Sequence, residues 1–314
     1  MSASSSKKVI FAALAGNAVI AITKFIAAAM TGSAAMFSEG IHSIVDTGNQ
    51  ILLLYGLKKA ARPANKEFPF GHGKEIYFWS FVVAILIFSL GAGISLYEGI
   101  HRVIKPVELG DPTVNYIVLG LAFLFEGIAF TVALKEFKES KGRLGYIEAV
   151  KRGKDPSLFV VLFEDGAAMT GLVVAFVGIS LAQYTGIAEF DGIASIIIGL
   201  ILGFTALWMA KETKGLLIGE SANPEIVDAI EEMVNEIDPI ERTNEVLTMH
   251  MGPDYILVNI SADFAQSASS DDVEGSIALL DKRIKDRFPT VKRIFVEAES
   301  REHFLQQDEA KYQV

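Results

Sequence analysis

The sequence predicts an α-helical membrane protein with six transmembrane helices and a small cytoplasmic α+β domain of α-β-β-α-β order. Three observations carry that expectation. Six apolar runs are each long enough to cross a hydrocarbon core about 30 Å thick, which takes roughly 20 helical residues. Lysines and arginines gather in alternate loops between those runs. Past the sixth run the chain turns polar and shorter patterns begin, so residues 1–213 are expected to form the membrane domain and 214–314 the cytoplasmic one.

Composition agrees. Hydrophobic residues make up 51% of the 314, and charged ones 21%, with a mean hydropathy of +0.38, which sets the chain apart from ordinary soluble proteins. The net charge of -10 is not one surface: carboxylates dominate the tail and basic residues the loops of the first part. That distribution argues against a nucleic-acid partner. With no cysteine, disulfides, thiolate ligands and a cysteine nucleophile are excluded, and any metal must be held by His, Asp, Glu, Asn or water.

The six runs cover about 9–30, 34–57, 76–100, 114–134, 157–182 and 187–209. The N-terminal segment leads straight into the first run without a cleavage site, so it reads as a first spanning helix rather than a signal peptide. Thr31-Gly32-Ser33 and the residues around Tyr184-Thr185-Gly186 are too short for anything but tight antiparallel hairpins. Lys58, Lys59, Arg62, Lys66 and Lys74 follow the second run; Lys135 to Lys154 supplies a second basic loop before the fifth. By the positive-inside rule both basic loops, both termini and the tail are cytoplasmic, in what is expected to be a bacterial inner (plasma) membrane. Asp155-Pro156 is a good helix start, an N-cap acid followed by proline at the first helical position.

Into this apolar frame the second run places Ser38-Glu39-Gly40-Ile41-His42-Ser43-Ile44-Val45-Asp46. Residues four apart share a helix face, so His42 and Asp46 can address one point, as two ligands of one metal must. At about 1.5 Å per residue, His42 and Asp46 lie roughly 12 and 18 Å in from one side and Asp165 roughly 14 Å in from the other. Glu164 stands beside it. Three carboxylates around one neutral imidazole repel unless a cation joins them, so a metal site is the leading reading and a metal-free proton relay the alternative. Asn17, Asn49 and Glu126 also fall at middle depth and read as interhelical hydrogen bonds, with a proton-linked role the alternative for Glu126. Lys24, Glu98 and Asp191 sit nearer span ends, where long side chains snorkel and short ones meet headgroup water. Small residues around Gly91-Ala92-Gly93 are expected to let helices pack closely, and Phe70-Gly71-His72-Gly73-Lys74-Glu75 reads as a turn before the third helix.

In the tail, Pro224 to about Ile237 has helical apolar spacing, Glu245–Met249 and Tyr255–Ile260 read as strands about a Gly252-Pro253-Asp254 turn, Asp271 to Arg287 as a helix and Arg293 to Glu297 as a last strand. From His303 on, the charged sequence reads as a frayed terminus.

Taken together, His-x-x-x-Asp in the second helix, Asp165-x-x-x-Met169-Thr170-Gly171 in the fifth, Phe-Gly-His-Gly-Lys-Glu before the third and the α-β-β-α-β tail resemble the cation diffusion facilitator family of divalent-metal/proton antiporters. The resemblance covers essentially the whole chain. It implies a homodimer in the lipid bilayer that exchanges a divalent cation for protons and needs no organic cofactor, with His42, Asp46 and Asp165 binding the cation. Where many members carry a histidine four residues before that aspartate, this chain has Val161, with Glu164 as the neighbouring acid, a pattern similar to the branch containing mitochondrial zinc transporters. Glu164, an amide or water is thus left as fourth ligand. Zn2+ is the expected transported ion, and the oxygen-rich set also suits Mn2+, Fe2+ or Co2+. Members of this build hold further metal through histidines on the tail strands; Asn244, Asn259, Glu297 and Glu299 stand at the matching places, so no metal is expected there. A membrane-embedded metal-dependent enzyme would show His-Glu-x-x-His or a comparable base, which is lacking; a metal-sensing receptor is the other alternative.

Overall fold

The computed structural model describes residues 3–107 and 110–311. Met1, Ser2 and the last three residues of the terminus lie outside the described residues. By its contacts the chain forms two compact units, one running up to Lys59 and over Ile76–Lys214, the other comprising Ala60–Glu75 and the chain from Gly215 on.

The first unit is wholly helical among its described residues. It contains α1 (Ala3–Thr31), most of α2 (Ala34–Ala60), α3 (Glu75–Leu86) continued by a π-helical segment (Ile87–Ala92) and α4 (Gly93–Ile104), then α5 (Thr113–Lys141), α6 (Tyr146–Arg152), α7 (Pro156–Thr185) and most of α8 (Glu189–Ile218). Among the described residues, four helices are long and apolar enough to cross a membrane: Glu75–Ile104, Thr113–Lys141, Phe159–Thr185 and Glu189–Ile218. In α1 the stretch described in full, Asn17–Thr31, is apolar but shorter than a span. In α2, Glu39, His42, Asp46, Lys58 and Lys59 dilute the hydropathy of an otherwise apolar helix, so the residues of functional interest are the ones that weaken its membrane signal. Along α5, Leu121, Leu124, Phe125, Ile128 and Val132 all face outward, an apolar surface suited to lipid and too extended for water.

Local sequence explains the helix limits. Asp155 caps α7 by accepting from Ser157 N at 3.0 Å with Pro156 in the first turn, and Gly186, at φ 72°, ends it in the left-handed conformation. Close helix approach occurs lower than the Gly91–Gly93 run suggests: a Cβ on Gly99 of α4 would stand 2.7 Å from Ile196 on α8, whereas one on Gly93 would meet only Phe88 O at 3.8 Å. The short α6 and the π-helical segment have no counterpart in the sequence reading.

The second unit holds α9 (Pro224–Asn235), β1 (Ile240–Gly252), β2 (Tyr255–Phe264), α10 (Ser270–Arg287), β3 (Val291–Ala298) and α11 (Arg301–Lys311). The three strands lie in the order β1-β2-β3, antiparallel then parallel. Alternation puts Ile256, Val258 and Ile260 into a core with Ile230 and Val234 of α9 and Leu280 and Ile284 of α10. The expected order is present with longer strands, and the segment from His303, read as frayed, is helical instead. The loop before α3 packs on this unit: Gly73 lies so close to Met251 and Gly252 that a Cβ would collide with Met251 O, Phe70 meets Phe295 edge-on at 6.5 Å, and His72 packs against Phe68 at 4.6 Å.

Candidate metal site

His42 and Asp46, on one face of α2, are brought together as their spacing requires, with His42 Nδ1 3.2 Å from Asp46 Oδ1. His42 is 1% exposed and the Asp46 side chain 19%. Proximity does not become a directed hydrogen bond. Both ring nitrogens of His42, Asp46 Oδ1 and Asn49 Oδ1 are buried without a hydrogen-bond partner. Polar atoms taken out of water and left unpaired cost about 1–3 kcal/mol each, so a cluster of them needs a reason.

From α7, Glu164 is buried, accepts a short hydrogen bond from the Asn49 amide and faces Asp46 within hydrogen-bonding reach. Asn49 therefore makes the interhelical bond expected of it, and its partner is a candidate ligand. Asp165 is half-buried and lies within electrostatic range of Asp46 and Glu126. The structure thus gathers His42, Asp46 and Glu164 and sets Asp165 close by. Among the described residues no three His, Asp or Glu side chains converge tightly enough to hold one ion in this conformation.

Two residues that sequence position assigns to the membrane edge lie inside instead. Lys24 is fully buried and its ammonium donates to Glu39 Oε2 at 2.9 Å, Ser43 Oγ at 2.8 Å and Glu126 Oε1 at 2.8 Å. It does not snorkel because Glu39 lies about as far beyond the Thr31-Gly32-Ser33 turn as Lys24 lies before it, a signal that was available in the sequence. Asp191 is likewise buried: it accepts from Ser33 Oγ and from the backbone N–H groups of Ala34 and Ala35, and so caps α2 from a neighbouring helix. Glu98, half-buried, pairs with Arg102 one turn on at 3.3 Å. Asn17 donates to Gln50 at 3.2 Å, as a structural hydrogen bond would.

In the tail, Asn244 and Glu299 are bonded to each other and to Ser261. Asn244 donates to Ser261 Oγ at 3.2 Å and to the Glu299 carbonyl at 2.9 Å, Ser261 donates to the Glu299 carboxylate at 3.0 Å, and His303 Nδ1 lies 2.9 Å from its other oxygen.

Comparison with known proteins fits this arrangement. A family model described as the cation efflux transmembrane domain matches residues 10–218. The chain is 33% identical over 260 residues to the mitochondrial proton-coupled zinc antiporter SLC30A9 of Xenopus laevis, covering 82% of this chain and 46% of that protein. It is 28% identical over 261 residues to metal tolerance protein C4 of Arabidopsis thaliana, covering 82% and 57%. With the manganese efflux system protein MneP of Bacillus subtilis it shares 21% over 265 residues, covering 82% and 84%. The chain spans about half the length of the SLC30A9 proteins it matches. With the match running from α1 through α8 and so across every helix that carries the buried polar cluster, the chain belongs to the cation efflux, or cation diffusion facilitator, family of integral membrane transporters.

Proposed function

We propose that this protein is a secondary transporter, not an enzyme, that exports a divalent cation, zinc foremost, in exchange for protons, with His42, Asp46, Glu164 and Asp165 binding the cation. The observation that carries the reading is the set of buried, unpartnered atoms on His42, Asp46 and Asn49, three residues on one face of α2 within an apolar helical unit. One dication can take one ring nitrogen of His42 together with Asp46 Oδ1 and Asn49 Oδ1, leaving the other ring nitrogen as an N–H donor; an internal hydrogen bond satisfies two atoms. The carboxylate side chains that do not yet converge complete the shell by rotating onto the ion, as Glu164 does when it leaves Asn49. Zinc is preferred because relatives at 33% and 31% identity are named zinc antiporters, and the oxygen-rich donor set also admits Mn2+, Fe2+ or Co2+.

Exchange follows from ligand chemistry. Imidazole binds metal only when neutral and carboxylates only when ionised, so protons entering from one side eject the ion and its arrival releases them. Sites of this kind lie near the bilayer midplane, reached alternately from either face. The proposal includes six spans, with α1 and α2 as the first two, cytoplasmic termini, a membrane domain over 1–213, a cytoplasmic domain over 214–314, and a homodimer in a bacterial inner membrane. Zinc uptake into proteoliposomes, with an internal pH indicator, tests it: an imposed pH gradient must drive zinc against its concentration gradient, and zinc movement indifferent to the gradient contradicts antiport.

A further inference from the structure

The connection between α5 and α7 takes no part in the cation site. Because Thr113–Lys141 and Phe159–Thr185 are consecutive spans, the residues between them emerge at one face of the membrane. They are folded there onto the end of α5. Phe137 is buried and stacks on Tyr146 of α6, with ring centroids 6.1 Å apart and planes 18° from parallel. Lys141 Nζ lies 4.8 Å from the centre of the Tyr146 ring and donates to the Leu144 carbonyl at 2.8 Å. Ala149 and Val150 are buried.

With that side of α6 covered, the other is turned out. Ile147, 62% exposed, and Lys151, four residues on, share the outer face, and Tyr146 is 48% exposed beside them. These three line an open groove of about 580 Å³ with Gly145 and Glu148. Glu148, its one carboxylate, is paired with Arg152 at 3.0 Å. The surrounding charge is mostly of one sign. Residues 135–154 carry seven lysines and arginines against three glutamates, a net +4 in a chain whose net charge is -10. Lys135, Lys138, Arg143 and Lys151 are exposed, and among the described residues none of them makes an ion pair.

We infer that this surface binds anionic lipid: Ile147 and Tyr146 enter the headgroup layer while Arg143, Lys151 and the lysines at the end of α5 hold lipid phosphates. Apolar side chains set among cations suit the border of a bilayer, where the first leave water and the second meet phosphate. Each lysine or arginine near an anionic leaflet strengthens such attraction about fivefold. A lipid surface is a better occupant than an acidic peptide because the groove opens at the ends of two spans, where headgroups are the neighbouring phase. α6 joins α7 through Gly153-Lys154-Asp155, so lipid held here anchors the end of the helix that carries Glu164 and Asp165. The inference needs only that α5 and α7 cross the membrane, and it stands apart from the transport reading.

The chain has no cysteine, so Ile147→Cys supplies a single thiol for a nitroxide on the full chain. Nanodiscs of equal parts phosphatidylcholine and phosphatidylglycerol offer the same lipid at both faces, which makes the test independent of orientation. There, power-saturation spectra should find the label severalfold more accessible to oxygen, relative to a water-soluble nickel chelate, than in phosphatidylcholine alone. Adding Arg143→Glu and Lys151→Glu should abolish that difference. So should salt at about 1 M, which shortens the reach of charge to about 3 Å and tests the surface with its own basic residues in place. A label that stays in water with phosphatidylglycerol, or one whose depth ignores lipid charge and salt, overturns the inference. A label screened from the chelate in detergent without anionic lipid, with two nitroxides at close range, shows a second copy of the chain on this surface and overturns it as well.

Discussion

Asp191→Ala is the substitution whose cost can be worked most fully from the structure. α2 starts at Ala34, and its first N–H groups have no partner within the helix. Asp191, on α8, accepts two of them, Ala34 N and Ala35 N, together with the Ser33 hydroxyl, while Ser33 Oγ in turn accepts from Met36 N at 3.1 Å. Alanine leaves both N–H groups buried and unpaired, at about 1–3 kcal/mol each. Part of this is offset because a buried carboxylate no longer has to be desolvated. The net cost is expected to be about 2–4 kcal/mol, and at about 2–4 °C per kcal/mol for a unit of this size the melting temperature in detergent should fall by roughly 4–16 °C. Asp191→Asn keeps acceptor oxygen and should lose about half as much. Because His42 lies only about two turns along α2, fraying at Ala34 should also loosen the cation site and weaken zinc binding. An Asp191→Ala protein that melts within about a degree of wild type would refute the claim that this carboxylate anchors α2.

Asp46→Ala and Asp165→Ala should each abolish zinc transport with little change in melting temperature; wild-type flux in either would remove that residue from the site. His42→Asp exchanges the one imidazole for a harder oxygen donor and should shift competition from zinc towards manganese, read as the ratio of transport rates. Gly171→Ala forces Glu39 aside while Lys24 holds its other oxygen, and should destabilise the protein by about 1–3 kcal/mol; a neutral result in thermal melts would mean that Glu39 is not confined there. In the tail, hydrogen bonds from the Ser269 hydroxyl and backbone hold Asp272 below the usual aspartate range. A depressed folded value contributes stability at neutral pH that is lost only as pH falls through it, so a carbon-13 titration should place Asp272 below an unstructured aspartate, and a midpoint at or above that reference contradicts the capping box.

Periodicity and depth single out His42, Asp46, Glu164 and Asp165 as candidates, because a helix face is readable from spacing and an ionisable group in an apolar run has few bland explanations. What spacing does not carry is partnership between helices. Judged by depth along each helix alone, Lys24 and Asp191 read as groups in headgroup water. Their partners, Glu39 and the first turn of α2, come from other segments at the same level. The Asn49–Glu164 bond is of the same kind: both residues stood out, and only packing of α2 on α7 joins them. In the tail the strand alternation was legible at its apolar centres, whereas the polar ends, such as Ile240–Asn244 of β1, are strand because β2 offers them a ladder. The helix from Arg301 carries too weak an apolar pattern to be read from sequence.

The central claim, that a divalent cation is held between α2 and α7 by one imidazole and several carboxylates, is tested most directly by X-ray absorption at the zinc edge on the purified, zinc-loaded full chain. The account predicts a shell of nitrogen and oxygen donors at about 2.0–2.2 Å containing a single imidazole, lost in Asp46→Ala. A shell with two or more imidazoles, or one that persists unchanged in Asp46→Ala, would place the metal elsewhere and contradict it.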